Sequence, residues 1–433
     1  MGKKIHTPKV IADPIYGIID VRPILPMIET EEFQALGDKR QLGMSYLVFP
    51  SATHTRRAHS LGAYHATRKL ADRWLNLGLI SEEEADALAG YALYHDIGHP
   101  AFSHVTEDLC ETENTENLDM STNSLLSLAI IKNLKNAIEN CGINFELLEE
   151  IAKHKNPLYL AVSDKNLGME KLDYLERDGF HTILSRLSGV DYLREHIYFL
   201  DGKLAIDEKV IDNAIEAQNF YLKMYKNVYL RKVSVIAQRM FHKMVYHLIL
   251  AGELKASELQ QMTDSELLGL MRFSKDKTVI TLYALFKSRQ LFKEAVVMRP
   301  EGFVHAETKA GKTIAVFGVD DKTMRAFVQS PSLQLKNPAE LEKLEGKIGE
   351  IAGIPTEFIL VVPLVSFTKF VSQDIWIYTE KGLASLKERY PAHFKEMEEV
   401  GKSYLAFRIC TLEKYRKQLS TPALAKQISD LVV

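Results

Sequence analysis

Two histidines and an aspartate in the N-terminal half of the chain have the residue types and spacing of a metal site. His95 and Asp96 extend an apolar stripe that passes through Leu88 and Ala92 of a predicted helix. Residues three and four apart share one face of a helix, so both polar side chains should fall on the buried face at its end. His59 continues the apolar stripe of a second predicted helix and should point inwards as well.

These three side chains have the chemistry of a divalent-metal site. A buried carboxylate is costly unless it is paired or bound to a metal. Imidazole and carboxylate ligands together suit Mn, Fe, Ni, Zn or, less well, Mg. Glu170 or Asp173 could add another oxygen ligand. The His95–Asp96 dipeptide taken alone favours a structural role, because a buried aspartate often only caps a helix or binds a backbone amide. Each further inward polar residue weakens that alternative.

Helical periodicity dominates the chain from about residue 56 to residue 295. Ser81 and Glu84 have the spacing of a capping box, which predicts that a helix begins there. The helix that carries His59 should end at Gly78, since glycine is the usual residue just beyond a helix. Further helices are predicted near 124–139, 168–185, 207–251 and 264–290.

The chain after residue 300 contains short runs rich in β-branched and aromatic residues, which favour strands. Strands are predicted at 303–305, 313–319, 358–365 and 375–378, followed by a helix over 383–428 that is broken near Pro391. The predicted fold class is therefore mainly α. A helical domain should cover 1–300, with the segment 1–55 packed on it, and a smaller α+β domain should cover 301–433 and serve assembly.

Composition and charge exclude several classes of protein. The chain has 433 residues, and its 54 Lys+Arg against 57 Asp+Glu give a net charge of −3. This balance argues against a dominant surface for nucleic acid or membrane. Three widely separated cysteines do not support a zinc knuckle or a disulfide frame, which favours the reducing cytoplasm. The N-terminus lacks the apolar run of a signal peptide, and the stretch 358–367 is too short to span a bilayer.

The sequence resembles the HD-domain phosphohydrolases, and within them the deoxynucleoside triphosphate triphosphohydrolases. The matching blocks follow one another in order between residues 10 and 178: VIADPIYG (10–17), QLG (41–43), VFP (48–50), HTRRAHSLG (54–62), HDIGHPAFSH (95–104) and KLDYLERD (171–178). Ordered blocks over this length are far more specific than one dipeptide. The resemblance implies an HD-domain helical core, and it fades in the C-terminal third.

The resemblance implies that His59, His95 and Asp96 are metal ligands. The fourth ligand of the family is an aspartate directly before the lysine of its DKxDY motif, and this chain has Glu170 there. The extra methylene of glutamate displaces the oxygen by about one C–C bond, so the helix shifts, Asp173 substitutes, or metal affinity falls.

Catalytic residues are also implied by the resemblance. His99, His104 and Glu107 match the proton-handling residues beside the metal. A further family histidine aligns near Asn123, and asparagine cannot transfer a proton. Pro100 stands where glycine is usual. These departures put full catalytic power in question while leaving the fold assignment intact.

The substrate side of the site is implied in the same way. Arg56 would bind phosphate, for which a guanidinium is well suited. Lys171, Tyr174 and Asp178 share one helix face and, with Gln41, match positions that touch phosphate and the sugar 3′-hydroxyl. Without the resemblance, the three helix residues would be taken for a solvated helix face.

Tyr229 and Lys232 also resemble nucleotide-contacting positions. Tyr229 belongs to a stripe with Tyr221 and Tyr225 at helical spacing, and such aromatic stripes more often belong to a hydrophobic core. The nucleotide role of these two residues therefore depends on the resemblance.

The implied function is metal-dependent hydrolysis of deoxynucleoside triphosphates to deoxynucleoside and triphosphate by a cytoplasmic homo-oligomer, a dimer or tetramer. Two alternatives stay open. One is an HD phosphohydrolase acting on another nucleotide or phosphate ester. The other is a catalytically weakened protein that binds a nucleotide and regulates, because Glu170 and Asn123 depart from the family pattern.

Overall fold

The structure is a computed structural model and describes residues 8–110, 122–306, 313–364 and 373–432. The predicted mainly α fold with an HD-type helical core is confirmed. The helices of seven residues or more are α1 (Arg56–Asn76), α2 (Glu82–Tyr94), α3 (Thr122–Asn133), α4 (Phe145–Ala152), α5 (Met169–Thr182), α6 (Ile211–Met224), α7 (Lys232–Leu250), α8 (Asp264–Phe273), α9 (Lys277–Lys287), α10 (Asp321–Gln329), α11 (Pro338–Ala352), α12 (Pro391–Lys402), α13 (Glu413–Leu419) and α14 (Pro422–Val432). Helices of four or five residues lie at Leu25–Ile28, Glu31–Ala35, Glu107–Cys110, Lys135–Glu139, Leu160–Ser163, Val190–Arg194 and Leu386–Arg389.

The strands form a hairpin and two four-stranded sheets. Their bounds are β1 (Val10–Asp13), β2 (Gly17–Asp20), β3 (Ile197–Leu200), β4 (Lys203–Asp207), β5 (Lys293–Pro300), β6 (Ala315–Val319), β7 (Ile359–Val362), β8 (Trp376–Thr379), β9 (Gly382–Ser385) and β10 (Phe407–Thr411). β1 pairs with β2, and the larger sheets have the strand orders β6-β5-β10-β7 and β3-β4-β8-β9. The pairs β5–β6 and β4–β8 are parallel, and the other pairs are antiparallel.

Helix α2, which directly precedes His95, begins where the sequence predicts, and helix α1, which carries His59, ends where it predicts. At the start of α2, the Ser81 hydroxyl accepts from the Glu84 backbone and the Glu84 carboxylate accepts from the Ser81 backbone. The chain leaves α1 through Gly78, whose φ is +69°. A glycine adopts this left-handed conformation at little cost. The two helices pack together and bring the start of α1 next to the end of α2.

Two predicted helices are interrupted. The predicted helix over 207–251 contains a π-helical turn at Tyr225–Tyr229, and the chain becomes extended at Arg231 before α7 begins. A π-helical turn is rare and is frequently found at functional sites. The predicted helix over 264–290 is broken at Ser274, which is extended and separates α8 from α9.

Strand predictions in the C-terminal part were partly wrong. The predicted strand at 303–305 lies in a 3-10 helix over Glu301–Ala306, and the strand β5 lies just before it. The predicted helix over 383–428 contains the strands β9 and β10. β5 and β10 are central strands that are buried on nearly every residue, so they lack the apolar-polar alternation that marks a half-buried strand.

The division into domains 1–300 and 301–433 remains a prediction, and strand pairing crosses it in both directions. β5 precedes residue 301 and pairs with β6 and β10. β8 follows residue 301 and pairs with β4, with Ala205 opposite Trp376. Ile377 of β8 belongs to the same hydrophobic cluster as the helices α1 and α2. The two parts are therefore joined by shared sheets rather than by a single linker.

None of the helices in the described residues combines the length and the apolar composition that are needed to cross a lipid bilayer.

Candidate active site

The structure brings three of the predicted metal ligands together where α1 begins and α2 ends. Their ligand atoms all lie within 4.8 Å of one another. The Nε2 atoms of His59 and His95 are 3.2 Å apart. The carboxylate of Asp96 lies 3.5 Å from His95 Nε2 and 3.9 Å from His59 Nε2. All three side chains are at most 5% exposed, so they form one buried cluster.

The other nitrogen of each ring is already bound. His59 Nδ1 lies 2.6 Å from Asp173 Oδ2, and His95 Nδ1 lies 2.7 Å from the Ala92 carbonyl. An acceptor at Nδ1 fixes the tautomer that leaves Nε2 free of a proton, as in the carboxylate–histidine pairs around protein-bound metals. Each ring therefore offers Nε2 to the centre of the cluster.

The electrostatics of the cluster favour positive charge. Burial lowers the pKa of His59, but the hydrogen bond and the charge of Asp173 outweigh burial and raise that pKa above its ordinary value. Burial raises the pKa of Asp96, but Arg56, His99 and His95 outweigh it and hold that pKa well below its usual range. Asp96 is thus an ionised acceptor at the centre of the cluster.

The residues present fit a divalent ion. Two nitrogens at about 2.1 Å from one tetrahedral ion are separated by roughly 3.4 Å, which is close to the 3.2 Å between His59 Nε2 and His95 Nε2. Two imidazoles and one carboxylate are also a donor set that several divalent metals accept. The donor set does not identify the metal.

The fourth ligand position differs from the other three. Asp173 is fully buried, and its oxygens bind His59 and the Arg177 guanidinium at 2.6–3.0 Å. These ion pairs outweigh burial and lower the pKa of Asp173. Asp173 therefore fixes the orientation of the His59 ring through Nδ1, the nitrogen that does not face the cluster. Glu170 is half-buried and close enough for its charge to raise the pKa of His59, but it does not belong to the three-residue group.

Arg177 joins this carboxylate to the N-terminal hairpin. Its guanidinium lies 2.8 Å from Asp13 Oδ2, and Asp13 Oδ1 accepts from the backbone of Ile15 and Tyr16 in the β1–β2 turn. Sequence analysis gave neither Asp13 nor Arg177 a role. The signal was present, because both residues lie in blocks that carry the family resemblance.

Gly62 leaves the space that this ion pair occupies. A Cβ atom at position 62 would collide with the carboxylate of Asp173 and the guanidinium of Arg177. We expect Gly62→Ala to lower the free energy of unfolding by more than about 2 kcal/mol, because buried ionic groups would have to move apart. Urea denaturation of the purified variant measures this change.

Gly269 of α8 provides the matched control. A Cβ atom there meets nothing within 4 Å. Gly269→Ala should therefore raise stability by about 0.5–1 kcal/mol through helix propensity. Equal effects of the two substitutions would contradict the steric argument.

The predicted proton-handling residues form a hydrogen-bonded chain that leads away from the metal cluster. His99 Nε2 lies 2.9 Å from Asp96, and His99 Nδ1 lies 2.7 Å from Glu107. The second oxygen of Glu107 lies 2.9 Å from His104 Nδ1. The side chain of His104 is 71% exposed, whereas that of His99 is 9% exposed, so the chain runs from the buried cluster to solvent.

The backbone between these two histidines is strained. Phe102 and Ser103 have φ values of +56° and +48°, which non-glycine residues rarely adopt. The buried carboxylate of Asp264 holds this turn, since it accepts from the Phe102 backbone at 2.6 Å. The side chain of Asn123 lies outside the described part of the chain.

Arg56 lies between the metal cluster and His104. It is 1% exposed, and its Nη1 atom lies 2.6 Å from Asp96 Oδ2. Its Nη2 atom lies 3.5 Å from His104 Nε2, and its Nε donates to the Ser103 hydroxyl. The guanidinium is therefore next to both Asp96 and His104.

A second group of predicted residues lies on α5 and the π-helical turn. The ring of Tyr174 is 6.3 Å from the ring of His59. Lys171 Nζ lies 3.7 Å from the centre of the Tyr221 ring. Burial lowers the pKa of Lys171 to about 8. The hydroxyl of Tyr229 donates to Asp178 at 2.7 Å. The structure thus places Tyr174 next to the metal cluster and joins Tyr229 to Asp178.

Gln41 and Lys232 have different surroundings. The Gln41 backbone donates to the His54 carbonyl at 3.0 Å, and Gln41 Oε1 is buried without a hydrogen-bond partner among the described residues. Lys232 Nζ lies 3.1 Å from Glu294 of β5, which also pairs with Arg408. Within the described part of the chain, the ion pair of Lys232 is therefore with β5 and not with another predicted substrate-binding residue.

Comparison with known proteins agrees with this geometry. A family model described as the HD domain matches residues 56–178, and a model described as the HD associated region matches residues 190–315. The chain therefore contains an HD domain followed by an HD associated region, and it resembles the HD-domain phosphohydrolases. Within that class it resembles the deoxynucleoside triphosphate triphosphohydrolases.

Individual relatives match over part of their length. The putative HD domain-containing protein L394 of Acanthamoeba polyphaga mimivirus is 32% identical over 252 residues, which are 52% of this chain and 55% of the relative. The human deoxynucleoside triphosphate triphosphohydrolase SAMHD1 is 29% identical over 277 residues, which are 54% of this chain and 44% of the relative. The matches thus span about half the length of these curated relatives.

A crystal structure of a phosphohydrolase from Bacteroides thetaiotaomicron has the same fold. It superposes with a TM-score of 0.69 at 22% identity and covers 94% of this chain and 100% of its own. The common fold therefore includes the C-terminal part, where the sequence resemblance fades.

Proposed function

We propose that this protein is a metal-dependent phosphohydrolase that converts deoxynucleoside triphosphates to a deoxynucleoside and inorganic triphosphate. The HD domain and the likeness to HD-domain phosphohydrolases support hydrolase activity, and the deoxynucleotide substrate is the finer part of the proposal. One observation carries it. The cluster of His59, His95 and Asp96 adjoins Arg56, the hydrogen-bonded chain to His104, and Tyr174.

His59, His95 and Asp96 would hold the ion, with Glu170 as a further ligand after a small shift of α5. A bound divalent ion lowers the pKa of water and neutralises charge that develops on phosphate oxygens. Asp173 keeps His59 oriented for this role, because its hydrogen bond at Nδ1 leaves Nε2 for the ion.

Arg56 and Lys171 would bind the triphosphate. A guanidinium forms paired hydrogen bonds with phosphate oxygens, and Arg56 already lies between Asp96 and His104. Lys171 rests on the Tyr221 ring and would reach the phosphates by moving away from it. Tyr174 would pack against the sugar, between the phosphates and Asp178.

His104 would protonate the departing 5′-oxygen. Water supplies the oxygen that joins the α-phosphorus and releases a proton to solvent, as the bond from phosphorus to the 5′-oxygen breaks. Burial raises the pKa of Glu107, but His104 and His99 outweigh it and lower that pKa well below its usual range. The ionised Glu107 therefore binds Nδ1–H of His104 and leaves Nε2, near Arg56, for the substrate.

A nucleotide-binding regulatory protein with weak catalysis is the second candidate. The position of Glu170 outside the three-residue ligand group favours it, since loss of one ligand weakens an ion site. A phosphohydrolase that acts on another nucleotide or phosphate ester would use the same residues. In either case we propose a cytoplasmic protein that assembles as a homo-oligomer.

A product assay separates these functions. The purified protein is incubated with deoxynucleoside and ribonucleoside triphosphates, monophosphates and cyclic nucleotides, each with Mg²⁺, Mn²⁺, Fe²⁺, Co²⁺ or Ni²⁺. We expect inorganic triphosphate as the phosphorus product from deoxynucleoside triphosphates, measured by ³¹P NMR. Release of only phosphate or pyrophosphate would favour another hydrolase. No hydrolysis, with a nucleotide-dependent rise in melting temperature, would favour the regulatory protein.

Replacement of His104 by alanine tests its role as the general acid. We expect kcat to fall about 10²- to 10³-fold, because a positioned acid contributes on that order. Metal content should stay unchanged, since His104 lies outside the three-residue metal cluster. His196→Ala is the control, because the described contacts of this imidazole are with the Tyr192 carbonyl and ring. A fall in kcat of less than threefold would exclude His104 as the acid.

A further inference from the structure

Asp178 is a buried carboxylate that depends on two hydrogen-bond donors. It is 2% exposed, and its Oδ1 atom lies 2.8 Å from His54 Nε2. Its Oδ2 atom accepts from the Tyr229 hydroxyl at 2.7 Å. Among the described residues no lysine or arginine pairs with this carboxylate. A buried charge needs such partners, so the position of Asp178 depends on His54 and Tyr229.

The ring of His54 is itself held firmly. His54 lies two residues before the start of α1. Its carbonyl accepts a hydrogen bond from Gln41 N, and the next residue, Thr55, forms a β-bridge with Arg40. The ring stacks on His181 with 4.4 Å between centroids and 14° between planes. A ring fixed by its backbone and by stacking can in turn fix the carboxylate that it binds.

His54, which binds this carboxylate, and Gln41, whose backbone donates to the His54 carbonyl, both carry unused acceptors. His54 Nδ1 and Gln41 Oε1 are both buried, and neither has a hydrogen-bond partner in the described part of the chain. Each oxygen of Asp178 also keeps lone pairs beyond the one that its donor uses. Because a group of acceptors repels phosphate and accepts from a hydroxyl, its chemistry fits the sugar end of a nucleotide.

We infer that His54 is a positioning residue that holds the Asp178 carboxylate ready to accept a hydrogen bond from the sugar hydroxyl of the substrate. This inference rests on the proposed function and adds to it a residue whose effect is on substrate selection. A site built to bind a hydroxyl rejects an analogue that lacks it, since buried polar groups are then left unpaired. His54 should therefore govern discrimination between 3′-hydroxyl and 3′-deoxy substrates.

Steady-state kinetics with a deoxynucleoside triphosphate and its 2′,3′-dideoxy analogue test the inference. We expect the wild-type kcat/KM to favour the 3′-hydroxyl substrate by about 100-fold or more. In His54→Phe this preference should fall below about tenfold, through loss on the hydroxyl substrate alone. His54→Gln keeps a side-chain donor and should recover most of the preference. His54→Leu replaces the phenylalanine variant if that variant is unfolded by circular dichroism.

His181→Phe is the matched control. It keeps an aromatic ring stacked on His54 and removes an imidazole that does not bind Asp178. Its preference for the hydroxyl substrate should equal that of the wild type. A His54→Phe variant that keeps the wild-type preference and differs only in melting temperature would overturn the inference, because His54 would then serve folding alone.

Failure of the proposed function has a different signature. If the wild type hydrolyses neither substrate, the proposed function fails, and equilibrium binding of the same two nucleotides decides the role of His54. A preference in binding that His54→Phe removes would retain the inference for a binding protein. Equal binding of both nucleotides by the wild type would overturn it.

Discussion

Replacing His95 and Asp96 together by alanine is expected to remove the bound metal and to lower triphosphate release at least about 10³-fold. The substitution deletes two of the three side chains whose ligand atoms lie within 4.8 Å of one another. His59 alone cannot hold a divalent ion, and a metal-assisted hydrolysis loses its electrophile with the ion. Metal analysis and ³¹P NMR of the products measure both effects on one sample.

Loss of activity through unfolding must be separated from loss of the ion. Asp96 also pairs with the buried Arg56 at 2.6 Å, so its removal costs stability by itself. His95→Ala keeps that ion pair and should lose metal and activity with a smaller change in melting temperature. A double variant in Asp191 and His196, outside the cluster, should behave as the wild type. Unchanged turnover in His95→Ala/Asp96→Ala would refute the proposed function.

Replacing Asp173 by alanine should have the largest effect on stability. The fully buried carboxylate binds His59 and Arg177, and its removal leaves a buried guanidinium short of a partner. Breaking a buried ion pair in this way costs about 3–5 kcal/mol. Metal affinity should also fall about 10- to 100-fold, because the second partner of a ligating histidine is lost. Urea denaturation and metal titration measure the two changes.

The contribution of Asp173 to stability should depend on pH with a defined sign. Its pKa is lowered in the folded protein, so the stabilisation is complete above the unfolded value near about 4. It is lost as the pH falls towards the folded pKa. Stability of the wild type should therefore decrease on acidification, and Asp173→Asn should remove that part of the decrease.

Two substitutions set the scale for this prediction. Asp13→Asn weakens the ion pair between Asp13 and Arg177. It should lower the free energy of unfolding by less than Asp173→Ala does, because Arg177 keeps its bonds to Asp173. Asp72 pairs with Arg68 at the surface and is 52% exposed, so Asp72→Asn should cost less than about 1 kcal/mol. If Asp173→Ala is as mild as Asp72→Asn, the orienting role of Asp173 is wrong.

The sequence predicted the parts of the fold that depend on local signals. The capping box at Ser81 and the glycine at position 78 define where α2 begins and α1 ends. The spacing of His95 and Asp96 on the apolar stripe of α2 then placed both side chains inwards. These signals involve residues within one or two helical turns, which is the range that periodicity can detect.

Long-range packing explains most of the errors. β5 and β10 lie at the centre of a sheet, so burial on both faces removed the alternation that identifies a strand. The π-helical turn at Tyr225–Tyr229 brings Tyr229 to Asp178, a contact between residues 51 positions apart. No periodicity within the segment encodes such a contact.

The candidate site shows the same limit. The sequence left the fourth ligand open, because Glu170 stands at the position of the family aspartate and Asp173 could substitute for it. Only the packing of α1 against α5, which places Asp173 Oδ2 2.6 Å from His59 Nδ1, shows that Asp173 orients this histidine. His54 lies in a matching block, but its partner Asp178 is 124 positions away.

The position of a bound ion tests the central claim most directly. Crystals grown with Mn²⁺ would be measured at the manganese absorption edge, and the anomalous difference map locates the ion. We predict one peak about 2.0–2.3 Å from His59 Nε2, His95 Nε2 and an Asp96 oxygen. The claim would be contradicted if these three side chains stayed hydrogen-bonded to one another without a peak, or if the ion bound only among His99, His104 and Glu107.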